Sequence, residues 1–387
     1  MSDGATRPAD ERLALSRLTI DLDRIVANWR LLGELTPSAE TSAVVKADAY
    51  GLGIARVVPA LAQSGCRTFF VAWPHEGLAA RAAAPSARIF VLGGLTPQTG
   101  PALIDNRLIP VLNSMREVET WQDMAAVRER RLACALHFDT GMNRLGFEPG
   151  QAERIATEGD LVARLEPALI MSHLACADTP LSPMNGEQFA RFEAIRALFP
   201  GIAGSLANSA VILSEPKFAQ DVTRPGIALY GGAALASADG IGSAGPVMPV
   251  VTFEARILQV RSARKGETVG YGATAVLARD SRIAIAAAGY ADGYLRSAAG
   301  GVAMRERARA GKGFIADMEA PLIGRISMDL AAFDVTDIPG EVLESAEWIE
   351  LIGDNADLDE FAHAAGTIGY EVLTGIGRRA ARVYVGG

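Results

Sequence analysis

Short apolar runs recur along the first part of the chain, near residues 43–47, 68–72, 89–93, 109–113, 133–139, 168–173, 202–206 and 221–224. Each is bounded by Gly, Pro, Ser or Asn, and most are followed by a stretch with helical spacing. Residues 115–130 place Val118, Trp121 and Met124 on one face, and 186–198 does the same with Phe189, Phe192 and Ile195. Apolar runs with little polar alternation predict strands buried on both faces. Their alternation with helices predicts a parallel sheet built by right-handed crossovers. Eight such units predict an α/β fold, a closed (β/α)8 barrel of the TIM type. The competing arrangement is an open doubly wound sheet, but no G-x-G-x-x-G turn is found to support dinucleotide binding.

From about residue 247 the pattern changes. Val251, Phe253, Ala255 and Ile257 alternate with Thr252, Glu254 and Arg256, which is strand periodicity. Further short strands are expected at 282–288, 321–326, 331–335 and 347–352, with 358–364 as the clearest helix. A short strand at 18–20 and a helix carrying Ile25, Trp29 and Leu32 precede the series. The expected organisation is a disordered lead-in over 1–12, the barrel over 13–240 and a mostly β C-terminal domain over 247–387. The Ala-, Ser- and Gly-rich stretch 231–245 reads as the linker.

Composition narrows the function classes. A chain of 387 residues suits two domains, and 49% hydrophobic with 21% charged residues suits a large core. A net charge of −8 argues against a nucleic-acid partner, which needs a basic face. Cys66, Cys134 and Cys176 are odd in number and far apart, so neither a disulfide framework nor a metal-ligand spacing is present. His75, His137, His173 and His363 are likewise scattered, and no metal is expected. Without a membrane-length apolar run or a secretory apolar core, the expectation is a cytoplasmic protein with no membrane partner.

A barrel gathers its strand ends on one face. The polar residues at those ends are Lys46, Asn113, Asp139, Arg144, His173, Asn208, Ser209 and Arg224. Burial of Lys46 would lower its ammonium pKa, which suits an amine that forms a Schiff base; a snorkelling strand-end lysine is the equally weighted alternative. The turn Arg224-Pro225-Gly226-Ile227 offers backbone N–H groups to a phosphate, as does the Ser209 hydroxyl, yet an ordinary strand-to-helix turn has the same composition. Tyr271, between Gly270 and Gly272, reads locally as a β-bulge tyrosine. His173 by itself fits a satisfied core histidine as well as a functional one.

The stretch Val44-Val45-Lys46-Ala47-Asp48-Ala49-Tyr50-Gly51-Leu52-Gly53 closely resembles the pyridoxal-phosphate lysine motif of the alanine racemases. The resemblance implies that Lys46 binds pyridoxal 5'-phosphate covalently and that Tyr50 helps hold its phosphate. Arg224-Pro225-Gly226-Ile227 matches the family turn whose arginine faces the pyridine nitrogen. Arg can only donate, so that nitrogen stays unprotonated and the ring is a weaker electron sink. Asn208, Ser209, Gly226 and Ile227 fall in the matching cofactor-binding segments. In Asp139-Thr140-Gly141-Met142-Asn143-Arg144, the match gives Arg144 to the cofactor's phenolic oxygen and the substrate carboxylate. Gly270-Tyr271-Gly272-Ala273-Thr274 matches the motif of the second catalytic base, with His173 as its hydrogen-bond partner and Arg224 bonded to the histidine. Gly289-Tyr290-Ala291-Asp292-Gly293 matches the substrate entrance, with Tyr290 lining it. Gly324-Arg325-Ile326-Ser327-Met328-Asp329 matches the segment whose methionine amide binds the substrate carboxylate. Tyr370, in Ile368-Gly369-Tyr370, matches a tyrosine on the phosphate.

The activity this implies is a two-base interconversion of L- and D-alanine, with Lys46 serving the D-face and Tyr271 the L-face, supplying D-alanine for peptidoglycan. It also implies a homodimer with shared active sites, the tyrosine and methionine coming from the partner chain. One departure stands out: many relatives carry a lysine, often carbamylated, where this chain has His137. A broad-specificity amino-acid racemase, or a basic amino-acid decarboxylase of the same barrel class, is the nearest alternative. A non-catalytic cofactor carrier would lack the Tyr271 segment and the second domain.

Overall fold

The computed structural model describes residues 13–158, 162–299 and 311–387; the expected lead-in over 1–12 lies outside the described residues. The chain divides into two compact units, one made of residues 25–236 and 243–247, the other of the described residues among 1–24, 237–242 and 248–387.

The first unit is the barrel. Seven parallel strands follow in chain order: Ala43–Val44, Thr68–Val71, Arg88–Val91, Ile109–Leu112, Leu132–His137, Leu165–Met171 and Gly204–Ser205. Their residues are almost wholly buried, because helices cover the outside and side chains fill the inside. Val222–Thr223 supplies the eighth strand, pairing in parallel with Glu40–Thr41, just before the first. On its other side Arg224 donates its backbone N–H to Ala207 O (2.8 Å), and an isolated parallel bridge joins Asn208 to Arg224. The ring is therefore closed. Two buried hydroxyls stitch the closing strand to both neighbours: Ser42 Oγ donates to Thr223 O (2.5 Å) and Ser205 Oγ to Val222 O (2.6 Å).

The second unit is built on a sheet ordered Met318–Pro321, Lys312–Ile315, Trp348–Ile352, Val251–Ala263, Ser16–Asp21 and Ala381–Val385. Ser281–Ala286 branches from Val251–Ala263 and pairs with Ala331–Asp334. The long strand is irregular between Ile257 and Gln259, which lets one element serve both branches. Its alternation is real: Val251, Phe253 and Ala255 are buried, and the residues between them are not. Tyr294 stacks on Phe361, ring centroids 4.7 Å apart, beside a buried Phe333.

Three expectations need correction. The strand Ser16–Asp21 belongs to the second unit, pairing with Val251–Ala263 and Ala381–Val385 rather than opening the barrel. The strand expected at 321–326 lies earlier, at Met318–Pro321, as the exposed arm of a hairpin with Lys312–Ile315. Gly240-Ile241-Gly242-Ser243-Ala244-Gly245 does have G-x-G-x-x-G spacing, but it leads into no helix and so makes no dinucleotide turn.

Closure through buried hydroxyls carries a stability consequence. Ser42→Ala removes one of the two stitches and leaves the Thr223 carbonyl with only the Ser42 backbone N–H, at 3.2 Å. Chemical denaturation should show a loss of about 1–2 kcal/mol; an unchanged midpoint would mean the closing strand is held elsewhere.

Candidate active site

Lys46 follows the strand Ala43–Val44 and begins a turn of unusual hand. Ala47, Asp48, Ala49 and Tyr50 all have positive φ (52°, 55°, 55° and 57°), a single turn of left-handed helix. Each such residue costs an L-amino acid roughly 1–2 kcal/mol. Hydrogen bonds offset the strain: Ala49 N to Val45 O (2.9 Å), Gly51 N to Ala47 O (2.7 Å) and Gly53 N to Asp48 O (2.8 Å). Asp48 Oδ1 then accepts the N–H of Ile54 (2.8 Å), starting the helix Ile54–Gln63. Glu76, which sequence reasoning did not single out, fixes the turn from outside. Its Oε1 accepts Ala47 N–H (2.6 Å) while Oε2 accepts Ala72 N–H (2.8 Å) and Trp73 N–H (3.1 Å). Glu117 holds the Asn113 end in the same way, accepting the Asn113 and Leu95 amides. The shared signal is a glutamate about a helical turn beyond a strand end.

The Lys46 ammonium is pushed below its usual pKa, first by burial and then by the Arg144 charge, with Glu76 opposing. A larger fraction of neutral amine results, as a nucleophile or base requires.

Arg224 is wholly desolvated, which lowers its pKa to about 10. It makes no ion pair among the described residues. Its donors go to Ser205 Oγ, Ser172 O (2.7 Å), Leu206 O (3.4 Å) and His173 Nδ1 (3.4 Å). His173 is held far below the usual imidazole range by burial, then by Arg224, Arg144, His137 and Lys46. It is neutral, and the contact to Nδ1 makes that nitrogen the acceptor.

Ser209 Oγ accepts the amides of Gly226 (2.8 Å) and Ala228 (3.3 Å), leaving its own proton to donate. The Ile227 amide between them makes no hydrogen bond among the described residues, although Ile227 is buried. A Cβ on Gly226 would lie 2.4 Å from Tyr50 Oη, so only glycine admits the tyrosine. Tyr50 in turn packs on Tyr230, centroids 4.6 Å apart, whose Oη donates to Val44 O (2.9 Å). Asn208 caps the helix Ser209–Ser214, its Oδ1 accepting Val211 N–H (3.1 Å). These residues fit pyridoxal phosphate: a desolvated lysine, an open amide with a hydroxyl donor for phosphate, and a buried cation lacking an acid.

Asp139 shapes the next loop. Its Oδ1 accepts the Gly141 and Met142 amides (2.8 and 2.7 Å) and its Oδ2 the Asn143 amide (2.8 Å), which leaves Arg144 exposed at the tip. His137 is buried and meets Asn113 Oδ1 through Nδ1 at 2.8 Å. Asn113 Nδ2 donates to Val111 O (2.8 Å), which fixes the amide's orientation. His137 Nδ1 is therefore the donor and Nε2 the free acceptor.

The second unit assembles its own set. A Cβ on Gly324 would lie 2.7 Å from Val269 O, and one on Gly272 2.9 Å from the Arg325 guanidinium, so the Tyr271 turn lies against the 324–325 turn. Tyr290 and Ala291 donate their N–H groups to Ser327 O (3.1 Å) and Met328 O (3.0 Å). Tyr271, Met328 and Tyr290 thus sit on neighbouring turns, 73%, 53% and 43% exposed; Tyr370 opens the helix Gly369–Gly375.

The fold and the barrel site define a class: a (β/α)8 enzyme that uses pyridoxal phosphate. The chain matches the family model for the alanine racemase N-terminal domain over residues 20–234 and that for the C-terminal domain over 250–384. It is 47% identical to the alanine racemase of Rhizobium meliloti, over 97% of this chain and 98% of that protein. It is 48% identical to the biosynthetic alanine racemase of Agrobacterium fabrum, over 95% and 93%. Among solved structures it resembles the alanine racemase of Bartonella henselae with covalently bound pyridoxal phosphate (TM-score 0.85, 34% identity, 96% of this chain and 100% of that one). It resembles the biosynthetic enzyme of Pseudomonas aeruginosa equally well (TM-score 0.85, 34% identity, 97% and 100%). The chain belongs to the alanine racemase family. It is accordingly a pyridoxal-phosphate-dependent isomerase acting on the enantiomers of alanine.

The two buried histidines give a pH signature. Burial lowers His137 from 6.5 to about 4, with Arg224 and Arg144 adding and Asp139 opposing. Between those values the unfolded chain binds a proton that the folded chain does not. The contribution is complete above pH 6.5 and is lost as pH falls toward 4, amounting to about 3 kcal/mol. His173 adds a loss of the same sign. Chemical denaturation across this range should show stability rising with pH, and His137→Gln should reduce the slope by about one proton's worth. An identical slope would place the proton uptake elsewhere.

Proposed function

We propose that Lys46 and Tyr271 are the two acid–base groups of alanine racemisation, working on opposite faces of the substrate's α-carbon. Bound pyridoxal phosphate supplies the electron sink that makes the α-proton acidic. Lys46 would hold it covalently, Arg224 would face its ring nitrogen, and Ser209, the Ile227 amide, Tyr50 and Tyr370 would hold its phosphate. Gly226 leaves room for Tyr50, and Asn208 fixes the helix start that presents Ser209. Arg144 would meet the substrate carboxylate and the cofactor's phenolic oxygen, with the Met328 amide as a second carboxylate donor and Tyr290 lining the entrance.

A single base returns a proton to the face it came from, so inversion needs a second group on the other side. Lys46, kept partly neutral by burial, serves the D-face. Tyr271 serves the L-face, with His173 as hydrogen-bond partner and Arg224 behind the histidine. Because Arg224 only donates, a ring nitrogen held against it would stay unprotonated, which would weaken the ring as an electron sink and favour reprotonation over side reactions. The observation that carries this reading is the desolvated Lys46 in a barrel mouth that also holds a buried Arg224 with no ion pair among the described residues.

We further infer a homodimer whose chains share their sites. The exposure of Tyr271, Met328 and Tyr290 on the second unit supports it, since catalytic side chains work where water is excluded. The likeness to biosynthetic relatives supports a role in supplying D-alanine for peptidoglycan. Free cysteines, and the absence among the described residues of a helix long and apolar enough to cross a membrane, agree with a cytoplasmic setting.

Two variants test this together. Lys46→Ala should lose the covalent cofactor, read by mass spectrometry. Tyr271→Phe should keep it and racemise about 10²–10⁴-fold more slowly. Neither alone is active, but refolding the two variants together should restore up to about a quarter of wild-type activity through hybrid sites. Full activity of either variant would remove its residue from the mechanism, and an inactive mixture would show that each chain completes its own site.

A further inference from the structure

We infer that Arg379 is a positioning residue: it ties the Tyr290 turn to the Met328 turn through Asp292 and Asp329, and thereby sets the amide that receives the substrate carboxylate. This rests on the reading of Met328 and Tyr290 given above.

Asp292 lies within the Tyr290 turn, and its side chain is only 3% exposed. One oxygen, Oδ2, accepts the Gly289 N–H at 2.9 Å. The other, Oδ1, meets Arg379 Nε at 3.3 Å, its one ion pair among the described residues. A second arm of the same guanidinium reaches the other turn: Arg379 donates from a terminal nitrogen to Asp329 Oδ1 at 2.7 Å. Asp329 is the residue after Met328. One planar cation thus bridges two carboxylates on separate loops, a geometry that a flexible lysine reproduces poorly.

The turns it joins already interlock. Ala291 N–H donates to Met328 O (3.0 Å) and Tyr290 N–H to Ser327 O (3.1 Å). A Cβ on Gly289 would come within 2.3 Å of Met328 O. From the C-terminal side, Gly377 N–H donates to Asp292 O (2.9 Å), so the segment carrying Arg379 is anchored to the same turn. The Met328 carbonyl is therefore pinned from one side. Its amide makes no hydrogen bond among the described residues, and Met328 is 53% exposed. A pinned carbonyl and an open amide are what a preorganised donor requires.

Asp292 matters because it is buried. Without Arg379 it keeps one amide and faces the cost of an uncompensated charge. The exposed Asp329 arm adds little to stability by itself, so its use lies in register between the turns.

The holoenzyme of Arg379→Gln and Asp329→Asn, compared with wild type, tests the clamp by amide hydrogen exchange and by steady-state kinetics with L-alanine. We expect exchange at 288–293 and 326–331 to quicken about tenfold. KM should rise about tenfold with kcat changed less than about twofold, the signature of lost ground-state binding. Arg379→Lys should recover part of the loss, and the double variant should be no worse than Arg379→Gln because the two act through one contact. Should Arg379→Gln fail to fold, Asp329→Asn carries the test, since Asp329 is 56% exposed. Unchanged exchange in both turns overturns the clamp whatever KM does. Quickened exchange with unchanged KM overturns the assignment of Met328 to the substrate carboxylate, and this proposal with it.

Discussion

A guanidinium buried without an acid holds the barrel and its chemistry together. Arg224 follows the closing strand Val222–Thr223 and reaches back to Ser172, beyond one neighbouring strand, and to Ser205 and Leu206 on the next. Every acceptor it has is neutral. In hydrocarbon such a cation would be forbidding, yet carbonyls and a hydroxyl replace part of its hydration. What they leave is a demand for an electron pair from a ligand. The same group that fastens the last strand therefore lies at the barrel mouth with capacity left for a ligand, and the closing strand carries it there.

The lysine needs a different device. A right-handed turn after Val45 would be the default for Ala47-Asp48-Ala49-Tyr50, all of which form ordinary helices. The observed turn is left-handed, with Glu76 holding its first amide and Asp48 passing the chain to the next helix. Strain of this kind persists only where neighbours over-determine it, and it collects at functional sites. Here it sends the chain sharply away from Lys46 and brings Tyr50 under Gly226, linking the lysine end of the barrel to the turn after the closing strand.

Much of this was legible in the sequence. Barrel strands buried on both faces print as apolar runs, so the runs near 68–72, 89–93 and 109–113 coincide with Thr68–Val71, Arg88–Val91 and Ile109–Leu112. Pairing partners do not print in the same way. Ser16–Asp21 alternates as any strand does, and nothing local says that it joins a strand more than two hundred residues later. The edge strand Met318–Pro321 escaped because only one of its residues is buried. Lys46, Arg224 and Tyr271 were visible as motif residues, whereas Glu76 and Ser205 were not. They bond to backbone or to another motif residue, and their chemistry is generic until the fold brings them near. The hand of the lysine turn was illegible for the same reason: local propensity favours the opposite one.

The electrostatics of the barrel mouth explain why its histidines can remain neutral. Arg224 and Arg144 push down the protonation of His137 and His173, and Arg144 also depresses Lys46. Burial is the first cause for all three, and the guanidinium charges add to it. The free site is left positive and underfilled by acceptors. A phosphate ester and an amino-acid carboxylate are the anions that such a field selects, and each would strengthen in a desolvated cleft. His137 fits this logic better than a charged residue would. Its Nδ1 proton goes to Asn113 Oδ1, and burial with the charges of Arg224 and Arg144 keeps the ring neutral. A carbamylated lysine would bring a negative charge to that place. This chain supplies a neutral imidazole instead, so no negative charge from this position offsets the field of Arg224 and Arg144.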